Sequence, residues 1–131
     1  MWKEFKSLPV ISVAPVRRPK LDEAGLNYSF KQEKEMMMEK MRAVLRIAIK
    51  NNHPDICMGA FGVGYGFRNP AKQVAKMWRE ILFSEQEFDR AFSNIVFAIE
   101  STSGTSKDGT TDLDIFKQEF APSNVSKTKY R

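Results

Sequence analysis

The chain has 131 residues, 42% of them hydrophobic, which suits one domain with a modest core and is too short for two ordinary domains. Its formal charge of +5 is mild, so an anionic partner is permitted but not required. A single cysteine and a single histidine exclude an intramolecular disulfide and a multi-histidine metal site, and no stretch approaches the ~20 apolar residues of a membrane span. We predict no metal, no cofactor and no membrane, and an intracellular protein of the cytoplasm or nucleus.

The first part of the chain predicts a strand followed by a helix. Residues 8–14 are rich in β-branched side chains and end at Pro15, which suits a buried strand. After a loop, Ser29 and Gln32 form a capping-box pattern that predicts a helix running to about Asn51. Its residues at helical spacing form one apolar face, namely Met37, Met41, Val44, Leu45 and Ala48.

A second strand and helix enclose the richest glycine segment of the chain. Residues 55–60 predict a strand that leads into residues 59–70, here called the glycine loop. The helix that follows has Asn69 as its predicted N-cap and Pro70 at its first position. Ser84 and Glu87 repeat the capping-box pattern and predict a further short helix.

The last part of the chain predicts a third strand and a last helix. Residues 94–99 form a continuous apolar run, which is typical of a strand covered on both faces. Residues 112–120 read as a helix with acidic residues in its first turn. We predict a domain over residues 1–120 and a polar, disordered tail over residues 121–131.

The alternation of strands and helices indicates an α/β fold with parallel strands and right-handed crossovers. In such sheets the ligand crevice lies beyond the carboxyl ends of the strands, where the glycine loop falls. Closely spaced glycines turn N–H groups toward an anion, and Arg68 adds a positive charge. The candidate ligand-binding residues are Gly59, Ala60, Phe61, Gly62, Val63, Gly64, Tyr65, Gly66, Phe67, Arg68 and Asn69. The plain alternative is a tight turn that needs glycine for packing alone.

Several blocks in this order resemble the microbial-type poly(ADP-ribose) glycohydrolase family. They are residues 10–14, Lys40-Met41-Arg42, residues 59–64, residues 67–70, Glu87-Phe88 and residues 96–99. The resemblance implies a partial macrodomain-like, three-layer fold with a small, mainly parallel sheet flanked by helices. It also implies that Gly62, Val63, Gly64, Tyr65 and Phe67 contact the phosphates and distal ribose of ADP-ribose or a related nucleotide.

Two departures from the family limit what the resemblance implies. The family's loop usually carries a cysteine where Val63 stands, and the pair Tyr65-Gly66 lengthens the loop by one residue. The family's adjacent catalytic glutamates have no counterpart, because the only adjacent carboxylates here, Asp22 and Glu23, lack a preceding glycine run. We therefore predict no catalytic residue, and the chain matches only the second half of the family's enzyme.

The missing half implies an incomplete sheet, since in macrodomains one of its strands lies between the strands matching residues 10–14 and 56–60. We expect a homo-oligomer, a partner chain that completes the sheet, or a rearranged sheet. Three functions follow as hypotheses: a nucleotide-binding module without hydrolase activity of its own, a fragment of an active glycohydrolase, or a structural protein that has lost the ligand. No nucleic-acid motif is present, so we expect no nucleic-acid partner.

Overall fold

The computed structural model describes residues 8–100 and 109–128. Its helices are α1 (Lys31–Lys50), α2 (Ala71–Ser84), α3 (Asp112–Glu119) and α4 (Pro122–Thr128), and its strands are β1 (Asp55–Met58) and β2 (Asn94–Phe97). A 3₁₀ helix (Gln86–Phe88) follows α2. Of the predicted domain and tail, residues 1–7, 101–108 and 129–131 lie outside the described residues.

Helix α1 buries the face that its apolar spacing predicts, and Met37, Met41, Leu45 and Ala48 are fully buried there. The predicted capping box at its start is wrong. The N-cap is Phe30, which makes no side-chain cap bond. Ser29 lies one residue too early, and its backbone N–H donates to the carbonyl of Lys20 at 2.8 Å as part of the preceding loop. Burial of one face therefore sets where this helix lies, without a side-chain cap at its N-terminus.

The two strands form a parallel sheet, with Asp55 opposite Asn94 and Met58 opposite Phe97, and α2 makes the crossover between them. Met58 is buried and Phe97 half-buried on the face that packs against Trp78 of α2. The α/β class with a small parallel sheet flanked by helices is thus confirmed. Alternate residues of β2, such as Val96, are exposed on the other face.

The predicted first strand, residues 8–14, is the main correction. The segment is extended but belongs to no sheet, and among the described residues no backbone hydrogen bond joins it to β1. Ile11 and Val13 pack on the core, whereas Leu8 is 84% and Val10 77% exposed. Exposed and half-buried side chains alternate along the segment as they do in a strand, but no strand among the described residues pairs with it, because a wide groove separates it from β1.

This groove, called here the edge groove, has a volume of about 1180 Å³. Residues 8–15 form one wall and residues 55–61 the other, with Val44 and Ala48 of α1 and Trp78 of α2 among its lining residues. The volume exceeds the range of roughly 300–1,000 Å³ typical of small-molecule pockets. An open sheet edge therefore faces a large, mainly apolar groove.

The C-terminal part forms two helices, α3 and α4. Helix α3 begins with a capping box, in which the side chains of Thr111 and Asp114 each bond the other residue's backbone N–H. Phe116 and Phe120 pack on Phe97 of β2, with ring centroids 5.3 and 4.9 Å apart. Residues 122–128, which belong to the predicted tail, form α4.

The side chain of Asn124 donates to the carbonyl of Gln118, which links α4 to the end of α3. The predicted short helix after α2 is present as the 3₁₀ helix. Its N-cap is Glu85 and has no side-chain cap bond, so the predicted capping box is wrong there too.

Candidate ligand-binding site

The glycine loop joins β1 to α2 and contains four backbone hydrogen bonds, the first from Phe61 N–H to Gly59 O at 3.0 Å. Val63 N–H donates to Ala60 O at 3.0 Å, and Arg68 N–H donates to Gly64 O at 2.8 Å. The N–H of Asn69 closes the larger ring by donating to Gly62 O at 2.9 Å. The loop is thus folded by its own main chain before any ligand is considered.

Four successive residues of the loop present backbone donors without acceptors. Within the described part of the chain, the N–H groups of residues 64–67 form no hydrogen bond, and all four residues are exposed. No heavy atom lies within 4 Å of where a Cβ on Gly66 would stand. Unpaired, accessible amides on a glycine loop are the chemistry that an oxyanion requires.

Three of the four glycines of the glycine loop differ in what requires a glycine. Gly62 has φ +73°, and a Cβ there would come within 2.9 Å of both Pro15 and Asn69. Gly64 has φ +119° but faces open space, and Gly66 has neither a positive φ nor a neighbour. Packing and the positive φ together account for Gly62, whereas nothing in the described fold requires glycine at position 66.

Arg68 and Tyr65 lie together on the exposed side of the loop. The Arg68 guanidinium stands over the Tyr65 ring, 5.2 Å from its centroid, and its Nε donates to Tyr65 O at 3.3 Å. Arg68 has φ 55°, and Arg18, whose N–H donates to Phe67 O at 2.7 Å, has φ 48°. Two arginines thus occupy uncommon backbone conformations beside the unpaired amides.

The remaining predicted residues divide between the edge groove and the core. Gly59, Ala60, Phe61 and Phe67 line the groove, so the loop forms one of its ends. Phe61 also packs on Trp78, with the ring centroids 6.2 Å apart. The half-buried Val63 packs against the hydrophobic core.

Asn69 is not the N-cap of α2, and this prediction is wrong. The N-cap is Pro70, and no side chain caps the helix. Asn69 is only 3% exposed, and its amide bonds other parts of the protein. Its Nδ2 donates to Val16 O at 2.7 Å and to Gly62 O at 2.9 Å, and its Oδ1 accepts from the Tyr28 hydroxyl at 2.7 Å. The sequence did not indicate these contacts, since their partners lie up to 53 positions away.

The adjacent carboxylates Asp22 and Glu23 lie in the loop before α1. Asp22 Oδ1 accepts from Leu26 N–H at 2.9 Å, and Oδ2 accepts from the Asn27 amide at 2.9 Å. The Asn27 side chain, followed by the Leu26 N–H, lowers the pKa of Asp22. A carboxylate held ionised in its own turn is poorly suited to act as a general acid.

Residues 8–100 and 109–128 contain neither a cluster of metal ligands nor a membrane-spanning helix. No three His, Cys, Asp or Glu side chains cluster there as a metal site would need. No helix there is long and apolar enough to span a bilayer.

Solved structures similar to this chain are those of poly(ADP-ribose) glycohydrolase from Deinococcus radiodurans. The structure in complex with ADP-ribose is 31% identical, with a TM-score of 0.57 over 67% of this chain and 33% of that one. The apo form is 26% identical, with a TM-score of 0.56 over 76% of this chain and 36% of that one. This chain thus spans about a third of the relatives' length. The partial resemblance read from the sequence is confirmed. Comparisons with family models and with curated proteins gave no match.

Proposed function

We propose that this chain, similar to about a third of a microbial poly(ADP-ribose) glycohydrolase, is a module that binds ADP-ribose or a related nucleoside diphosphate. The observation that carries the proposal is the run of four N–H groups on the exposed residues 64–67, which have no hydrogen-bond acceptor among the described residues. The similar structures determined with ADP-ribose support the choice of ligand.

The chemistry around the loop suits a diphosphate joined to a ribose. The loop amides donate to phosphate oxygens, and Arg68 supplies the opposite charge to the phosphates. Tyr65, which is 83% exposed, offers a flat face to a ribose or base.

We further propose that the chain does not hydrolyse ADP-ribose polymers by itself. Cleavage of a glycosidic bond needs a carboxylic acid placed at the scissile oxygen, usually one whose pKa is raised. Asp22 has the opposite perturbation and is occupied by Leu26 and Asn27. The alternative, a fragment of an active glycohydrolase, predicts that hydrolysis appears once the polypeptide matching the relatives' other two thirds is added.

Calorimetric titration with ADP-ribose tests the binding proposal. The expected result is saturable heat, lost in Gly66→Val and retained in Ile49→Ala, an exposed change at the end of α1. Position 66 is free of protein contacts, so its variant keeps the fold while covering the loop amides. Absence of heat and of a thermal shift at millimolar ADP-ribose would favour the third hypothesis, a structural protein that has lost its ligand.

We also propose that the edge groove takes a β-strand from another chain, either a second copy or a partner that completes the sheet. The open edge of β1 and the exposed side chains of Leu8 and Val10 support it. Sedimentation of the 131-residue chain is expected to show association that Val10→Lys weakens and Met36→Lys, outside the groove, does not. A monomer at every concentration that also binds no apolar dye contradicts it.

A further inference from the structure

The side chain of Asn69 is the most fully used polar group near the glycine loop. Its amide has two N–H donors, and both are engaged, one by Val16 O and one by Gly62 O. The acceptor side receives the hydroxyl of Tyr28 at 2.7 Å. Asn69 is 3% exposed, its bond to Val16 is buried, and its bonds to Gly62 and Tyr28 are part-buried, so water has little access to the amide.

These bonds join segments that are far apart in sequence to one end of the loop. Val16 follows the segment that lines the edge groove, and Tyr28 lies just before α1. The Gly62 carbonyl accepts twice from residue 69, from its backbone N–H and from its side chain, both at 2.9 Å. Residues 62 and 69 are thus held together, and the exposed residues between them form a closed ring.

The carbonyls of Val16 and Gly62 determine which way the Asn69 amide faces. Carbonyl oxygens only accept, so Nδ2 must face them, and Oδ1 is left to accept from the Tyr28 hydroxyl; the flipped amide would set its oxygen against both carbonyls. Burial, with a smaller effect from the charge of Glu33, raises the pKa of Tyr28, so the hydroxyl keeps its proton. Tyr28 therefore remains a donor at every physiological pH.

We propose that Asn69 and Tyr28 are positioning residues that hold the glycine loop in its ligand-binding shape before the ligand arrives. This inference rests on the proposed function of the loop. A loop that is ordered on folding loses its conformational entropy at that step, whereas a loose loop loses it on binding, which lowers the affinity. Loss of the clamp formed by Asn69 and Tyr28 is thus expected to weaken ligand binding more than a comparable loss of stability elsewhere in the chain does.

The test compares Tyr28→Phe and Asn69→Ala with Glu119→Gln, a matched control. Glu119 accepts from Arg79 at 2.9 Å between α3 and α2, and both side chains are largely buried, at 12% and 14% exposure. The control thus removes the charge from one part-buried hydrogen bond outside the loop. All four proteins are compared by calorimetric titration with ADP-ribose at a temperature where each is folded.

The expected result is at least a tenfold loss of affinity in both clamp variants and less than a threefold change in the control. Amide hydrogen exchange of the free proteins provides the second measurement. The Arg68 and Asn69 amides are expected to lose protection in the clamp variants, while α3 keeps its own. Affinity and exchange equal to those of wild type in both clamp variants overturn the proposal.

A failure of the proposed function gives a different result. If wild type itself does not bind ADP-ribose, the function of the loop is refuted. The exchange data then still decide whether Asn69 and Tyr28 set the loop's shape. Loss of protection spread evenly over the whole chain, rather than confined to residues 62–69, also counts against the proposal.

Discussion

Replacement of Gly62 by alanine tests the packing of the glycine loop most sharply. A Cβ at this position would lie 2.6 Å from Met37 Cε, 2.9 Å from Asn69 Nδ2 and 2.9 Å from Pro15 Cβ. The methionine end is flexible and can move aside. The proline and the hydrogen-bonded amide have no such freedom, so alanine must displace the backbone or break the Asn69 contacts.

The expected cost combines two effects. A φ of +73° is unfavourable for a residue with a Cβ by about 1–2 kcal/mol. Overpacking a close contact typically adds about 1–3 kcal/mol. We therefore expect Gly62→Ala to lower the free energy of unfolding by about 2–5 kcal/mol, a large share of the roughly 5–15 kcal/mol of a typical domain.

Gly66→Ala is the matched control, because its Cβ meets open space and its φ is not in the left-handed region. The free energy of unfolding is expected to stay within about 1 kcal/mol of wild type. Urea unfolding followed by circular dichroism measures both variants by linear extrapolation. Equal stability of Gly62→Ala and Gly66→Ala would refute the assigned packing role of Gly62.

Three further predictions concern contacts outside the loop. Glu85 accepts two hydrogen bonds at 2.8 Å from Arg42, and both side chains are mostly buried. Glu85→Gln should therefore lower the free energy of unfolding in urea by about 1–3 kcal/mol, and by more than the exposed Glu87→Gln does. Equal losses in the two variants contradict this. Arg46 lowers the pKa of Glu87 below its ordinary 4.5. The stability that this ion pair adds is therefore present above pH 4.5 and is lost as the pH falls through the folded-state pKa of Glu87. Melting temperatures of Glu87→Gln should therefore fall less steeply on acidification than those of wild type. Thr111→Val removes the cap acceptor of α3 and should cost about 0.5–2 kcal/mol by the same urea assay, with no change expected in ADP-ribose affinity.

Much of the fold follows from apolar spacing in the sequence. The buried face of α1 and the strands at residues 55–58 and 94–97 all lie where their patterns predict. These patterns depend on local periodicity, which the chain carries in itself. The segment over residues 8–14 has the same kind of pattern, yet a strand also needs a neighbour to pair with. Pairing is a property of the whole fold, so local periodicity does not show that this partner is missing; only the resemblance to half of the family's enzyme implied an incomplete sheet.

The candidate site divides in the same way. The glycine spacing correctly predicts a loop between a strand and a helix. It does not reveal that Gly62 is required for packing while the amides of residues 64–67 stay free. The local rule for helix starts assigns Asn69 to an N-cap, but its amide bonds Val16, Gly62 and Tyr28 instead. Tertiary hydrogen bonds override a cap preference of about 1 kcal/mol.

The most direct test of the account is a titration of the ¹⁵N-labelled chain with ADP-ribose followed by amide chemical shifts. The largest chemical-shift changes are expected at the four unpaired amides of residues 64–67. These changes are expected to be absent in Gly66→Val, whose other resonances remain those of the folded wild type. No shift at millimolar ligand, or shifts confined to residues away from the loop, would contradict the claim that these amides bind the diphosphate.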